Sequence, residues 1–114
     1  AEKSQAPRLR AAKADRSAAR ALSMAAARRA ASDYARYLAT RRAAVESLAV
    51  LKQKIHSLED QRDALLTVYE SGVGDYSPII DGELAILLLQ SQTAAEAARR
   101  DGATERLNSL LVTS

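Results

Sequence analysis

The residues able to do chemistry in this sequence gather around one short stretch. It runs Tyr69-Glu70-Ser71-Gly72-Val73-Gly74-Asp75-Tyr76-Ser77-Pro78, with Asp81 and Glu83 just beyond. Asp81, one turn into a helix that Pro78 would open, suits the positive end of that helix's dipole. Gly72-x-Gly74 is too short, and lacks the preceding strand, for a dinucleotide-binding loop. His56 stands with Glu59, Asp60 and Asp63 on one helical segment. Such spacing can touch a metal, but a zinc site normally takes three or four ligands. No Ser/His/Asp or Cys/His set assembles for nucleophilic catalysis. The absence of cysteine excludes disulfides and thiolate metal sites. These residues predict no catalysis, no metal and no cofactor. They predict a turn and what the turn touches.

The elements that hold this stretch are long helices. From Arg8 to Ser71 there is no Gly and no Pro, far beyond the mean helix of about 11–12 residues. Within that span Leu48, Leu51, Ile55, Leu58, Arg62, Leu65 and Tyr69 recur at alternating steps of three and four, the spacing of a coiled-coil seam. Continued backward, the same phase meets Ala44, Arg41, Tyr37, Tyr34, Ala30 and Ala27, so the seam thins from leucine to alanine. Arg62, on the seam, is expected to snorkel or to pair with a carboxylate of the facing helix. Gly72 and Gly74 allow positive φ and a reversal. Ser77 followed by Pro78 reads as an N-cap with proline in the first helical position. In the return helix Ile80, Leu84, Leu87, Ser91, Ala94 and Ala98 form one stripe, with Ile79, Ile86 and Leu89 off it. A helix apolar over more than one face needs more than one neighbour. The fold class expected is all-α, a long antiparallel helical hairpin. Its expected parts are an arm over 1–7, a long helix over 8–71, a tip turn over 72–77 and a shorter return helix over 78–112, unbroken at Gly102.

Composition agrees with this. Apolar residues make up 47% of the 114, but much of that is alanine, and the aromatics are four tyrosines only. Such a chain suits thin helix-to-helix seams in place of a thick core. No run approaches the roughly 18 apolar residues of a spanning helix. The net charge of +3 hides an asymmetry. Residues 1–42 hold 11 Lys/Arg against 3 Asp/Glu, a net of +8, and residues 43–114 hold 6 against 11, a net of −5. The basic arginines spread around the helix without interleaved aromatics, which argues against nucleic acid. Alanine opposite them argues against membrane insertion. At 1.5 Å per residue the two helices would be about 96 and about 50 Å long, so the basic third is left without a partner in its own chain. Long helices gain their stability mainly from packing, which predicts an oligomer.

The stretch from Tyr69 onward resembles the TolC-like outer membrane efflux channels. Those proteins carry, at the periplasmic tip of their second helical hairpin, a Tyr, a Gly three residues later, and an apolar-Asp-Ala-Gln stretch opening the return helix. Tyr69, Gly72 and Ile79-Ile80-Asp81-Gly82-Glu83 correspond here, with Gly82 where Ala is usual and Glu83 where Gln is usual. The alanine- and arginine-rich helix through Tyr34, Tyr37 and Leu38 is similar to the family's ascending helix, so the resemblance covers roughly Arg8 to Leu111. It implies a part of an oligomeric, trimeric α-barrel tunnel in the periplasm of a Gram-negative bacterium, tied to the outer membrane through segments outside this chain. It further implies a passive conduit, docked at its tip on a periplasmic adaptor protein and powered by an inner-membrane pump. Asp81 would then stand in a ring of carboxylates at the constriction, where symmetry triples its charge, with Asp75, Glu83 and Tyr69 as further gate residues. The turn residues Gly72, Val73, Gly74, Tyr76 and Ser77 would contact the adaptor.

Two other readings compete with the channel. One is a soluble coiled-coil interaction or scaffold protein with no transport role. The other is a periplasmic adaptor hairpin, whose tip has Arg, then Leu four residues on, then Ser seven further. Counting from Arg62 meets Leu66 and then Val73, so that pattern fails.

Overall fold

The computed structural model describes the backbone of residues 2–113 and the side chains of residues 5–112. Two helices account for it: α1, Glu2–Glu70, and α2, Ser77–Thr113. The chain divides into two compact units, Ala1–Arg36 and Tyr37–Ser114.

The first unit consists of the opening part of α1. Where an arm ending at Pro7 is expected, the helix already begins at Glu2 and Pro7 lies inside it. Pro7 is the sixth residue of that helix, past the first turn where proline costs nothing, so one amide bond to the carbonyl four residues back is missing there. From Gln5 to Ser32 every residue is exposed except Ala12, which is half-buried. Leu9, Leu22 and Met24 are among them, at 59%, 72% and 49% exposure. Arg36 and Asp33 pair at 3.6 Å one turn apart.

In the second unit the rest of α1 and α2 lie antiparallel as a hairpin. The seam is thin. Among the described residues only Ala44, Leu51, Ile79, Ile86, Ala103 and Leu107 are buried, and no polar residue is. On α1 the expected stripe holds from Ala44 through Leu48, Leu51, Ile55 and Leu58 to Arg62, all buried or half-buried. Nearer the tip it shifts by one residue. Leu66 is half-buried, while Leu65 and Tyr69 are 38% and 43% exposed. A straight α-helix drifts by about 20° per heptad against a seven-residue repeat, and such drift carries the contact from Leu65 to Leu66.

On α2 the stripe that closes the hairpin is not the one that the sequence makes most conspicuous. Ile79, Gly82, Ile86, Leu89, Thr93, Glu96, Arg100, Ala103, Leu107 and Leu110, at alternating steps of three and four, are all buried or half-buried. Ile80, Leu84, Leu87, Ser91, Ala94 and Ala98 are all exposed. The closing stripe wins by length, since after Thr93, Glu96 and Arg100 it turns apolar again at Ala103, Leu107 and Leu110. The other fades to serine and alanine after Leu87 and would next meet Asp101. α2 runs through Gly102 without a break.

Polar groups tie the two helices at several levels. Arg62 reaches Glu83 Oε1 at 3.1 Å through one guanidinium nitrogen. Arg41 Nε donates to Thr104 Oγ1 at 3.0 Å. Arg106 donates to the Tyr37 hydroxyl at 3.2 Å and lies 5.3 Å from the centre of that ring. These contacts sit beside the apolar seam, where polar groups fix register.

Candidate functional site

The candidate site is the tip and the outer face of α2 next to it. Its geometry starts with how α1 stops. Gly72 has φ of +85°, the left-handed conformation that ends many helices and that a Cβ disfavours. The Gly72 amide donates to the Tyr69 carbonyl at 3.0 Å, the Ser71 amide to the Thr67 carbonyl at 3.2 Å, and the Ser71 hydroxyl to the Val68 carbonyl at 2.6 Å. Carbonyls that the helix end would orphan are thereby satisfied. Gly74 has a different task. Its φ is not positive, but a Cβ there would lie 3.2 Å from Val68 Cγ1 and 3.4 Å from the Tyr69 backbone. The turn folds tightly onto the end of α1, and any larger residue would push Val68 aside by a few tenths of an ångström.

The return helix starts one residue earlier than its proline suggests. The Ile79 and Ile80 amides donate to the Tyr76 carbonyl at 3.0 and 3.2 Å, so Tyr76 occupies the N-cap position and Ser77 opens α2. The capping side chain is Asp75, whose Oδ1 accepts from the Ser77 amide at 3.3 Å. A carboxylate at that point also faces the positive end of the helix. The Tyr76 ring meets the Tyr69 ring with centroids 5.0 Å apart and planes at 57°, a tilted contact across the turn. Val73 projects at the apex, 76% exposed.

The expected site residues therefore separate by role. Tyr69 and Tyr76 come together, Asp75 serves the cap, and Glu83 is engaged by Arg62. Asp81 is exposed and has no side-chain partner among the described residues. Among the described residues Asp75, Asp81 and Glu83 share no common partner. Arg62 also holds Asp63 Oδ1 at 3.1 Å through two nitrogens. Its hydrogen bond to Asp63, followed by the attraction of Asp63 and Glu83, holds the guanidinium above its ordinary pKa, with partial burial opposing. His56 Nε2 lies 3.5 Å from Asp60 on an exposed face. Among the described residues no three His, Cys, Asp or Glu side chains converge as metal ligands.

Sequence reasoning missed two features here. The first is the Arg41–Thr104 bond; the signal was an arginine standing in an alanine-rich seam, which needs a polar acceptor opposite. The second is that Ile80, Leu84, Leu87 and Leu88 face outward, at 48%, 59%, 59% and 62% exposure. On the other side of the hairpin an open groove of about 610 Å³ runs between Ser47, Val50 and Lys54 of α1 and Gln92 and Ala95 of α2.

Together these features define a helical hairpin with a tightly built turn and an apolar flank that its own chain leaves open. Compared with known family models, curated proteins and solved structures, the chain matches none. Among the described residues no helix is long and apolar enough to cross a membrane.

Proposed function

We propose that this chain is the periplasmic tip hairpin of a trimeric outer-membrane efflux or secretion channel, which packs with other helices into a tunnel wall. The observation that carries the reading is the open stripe of α2 beside the turn. A helix in a tunnel wall has a neighbour on each side, and α2 has one apolar stripe spent on α1 and a second ready for another helix. The turn residues Tyr69, Gly72 and Asp81 support the same reading through their resemblance to the channel family. In this role the hairpin catalyses nothing. Its tip, with Val73 and Tyr76 at the surface, docks on a periplasmic adaptor, and an inner-membrane pump drives transport. Asp81, unpaired among the described residues, is the residue free to join a carboxylate ring when three copies surround an axis.

A soluble coiled-coil scaffold remains the second reading, favoured by the same open stripe, since any partner helix could take it. Two measurements separate the readings. The gene encoding a channel must also encode amphipathic β-strands and a related hairpin upstream, and a reading frame holding the hairpin alone removes the channel. In planar bilayers, Asp81→Asn in the whole protein is expected to change cation block or conductance without altering folding. Identical traces for the two proteins would remove the carboxylate ring.

A further inference from the structure

The outer stripe of α2 is open on one side of the hairpin only. α1 presents Gln53, His56, Asp60 and Asp63 on its own far face, all exposed and all polar. Water satisfies that face. It does not satisfy Ile80, Leu84, Leu87 and Leu88, each about half exposed or more. The paired part of α1 also exposes Val45, Val50, Leu65 and Val68, but these are scattered over 24 residues and on the whole less exposed, whereas the α2 aliphatics fall within nine residues, so α2 offers the denser face for a partner.

We propose that a second copy of this chain covers the stripe, α2 against α2 and antiparallel, about a two-fold axis passing near Leu88 and Leu89. The spacing supports this. From Ile80 to Ala98 the steps are four, three, four, three and four, the same read from either end, so a reversed copy keeps register along the whole stripe. In that register Ile80 faces the partner's Ala98, Leu84 the partner's Ala94, and Leu87 the partner's Ser91. Every layer sets a large side chain against a small one, which is how facing helices interdigitate without voids. Parallel copies would stack leucine on leucine at one end and alanine on alanine at the other.

Charge favours the same direction. Among the described residues Asp81 has no partner. The Arg99 side chain is half exposed and among the described residues pairs only with Glu96, at 3.5 Å. The antiparallel register brings Asp81 within a turn of the partner's Arg99. A parallel pair would set Asp81 and Glu83 beside their own copies, which suppresses that arrangement. Four side chains exposed by about half supply roughly 400 Å², about half of the ~800 Å² that each partner contributes to a standard interface. The pair therefore belongs to the weak class, to be measured at about 100 µM. The stripe holds one neighbour at a time, so this self-pairing and packing into a tunnel wall exclude each other. The inference does not rest on the channel reading.

The 114-residue chain has no cysteine, which makes disulfide trapping clean. In the Leu84→Cys/Ala94→Cys variant, air oxidation is expected to give covalent dimers. The two positions lie about 15 Å apart on one helix, too far to bridge within a chain. Leu84→Cys alone is expected to stay monomeric under the same oxidation, because its counterpart sits about 15 Å away along the axis. Light scattering of the unaltered chain at ~100 µM should give a mass well above the 12.3 kDa of one copy. Leu84→Glu/Leu87→Glu should return it to one copy with its helicity by circular dichroism intact. A single-copy mass for the unaltered chain, or covalent dimers from Leu84→Cys alone, overturns the proposal. Neither outcome touches the channel reading, which stands or falls on the parent gene and its conductance.

Discussion

Replacing Ile86 by alanine should cost the hairpin several times what the same change costs at Leu87, although the two residues are neighbours and both are large aliphatics. Ile86 is 4% exposed, so truncation removes about three buried carbons, at about 0.8 kcal/mol each. That gives about 2.4 kcal/mol, and a residual cavity raises the total toward about 3 kcal/mol. Leu87 is 59% exposed, so less than half of its side chain leaves water on folding, and the same reckoning gives about 1 kcal/mol. Urea unfolding followed by circular dichroism at 222 nm reads both. At low micromolar concentration the Ile86→Ala midpoint should fall well below that of Leu87→Ala, with unchanged slopes. Raising the concentration to about 100 µM should leave the Ile86→Ala deficit in place and enlarge that of Leu87→Ala, because only Leu87 lies on the face offered to a second copy. Equal losses at low concentration, or a larger one at Leu87, would refute the assignment of the inner stripe.

Three further outcomes follow from the same structure. Gly74→Ala drives a methyl to 3.2 Å from Val68 Cγ1 and should lower the thermal midpoint, while the double variant with Val68→Ala should recover part of the loss. Gly102→Ala meets nothing within 4 Å inside a continuous helix and should stabilise by about 1 kcal/mol in urea. For Arg62 the folded pKa is raised above the unfolded one, so its contribution is fully present below the ordinary guanidinium range and is lost only as pH rises through the folded value. Its pairing should therefore respond to salt and not to pH near neutrality. The difference in midpoint between the unaltered chain and Glu83→Gln should shrink as NaCl rises from 0.01 to about 1 M, where the Debye length falls from about 30 to about 3 Å. A salt-independent difference would show that Glu83 acts by packing alone.

The sequence announces the two helices and the turn because breakers are so rare in it: Gly72 and Gly74 are the first since Pro7. It announces the α1 seam because leucine and isoleucine occupy one phase from Leu48 to Leu58, with only polar residues between them from Leu51 onward. α2 hides its seam because Ile79-Ile80 and Ile86-Leu87 are apolar doublets, which start two stripes one residue out of phase. Periodicity cannot choose between them. The inner one is further disguised by Gly82, Thr93, Glu96 and Arg100, whose side chains are small or reach sideways to water. At the turn the two glycines look interchangeable on paper, yet Gly72 supplies a backbone angle and Gly74 supplies space. Asp75 was legible as an acidic residue at the tip but not as the cap, since Ser77-Pro78 offers a stronger local signal. The pairing of Arg62 with a carboxylate opposite was readable from its place in the seam.

The Arg41–Thr104 and Arg62–Glu83 contacts are separated by 21 residues on each helix, three whole heptads on both strands. Sliding one rod along the other by a single heptad in one direction would still set Leu58 toward Ile79, Leu51 toward Ile86 and Leu48 toward Leu89, so the apolar side chains alone do not forbid it. The same slide would unmake both polar contacts at once, because both belong to one and the same register. Like two pins set in one ruler, they engage together in the native register, and any slide short of three heptads meets neither.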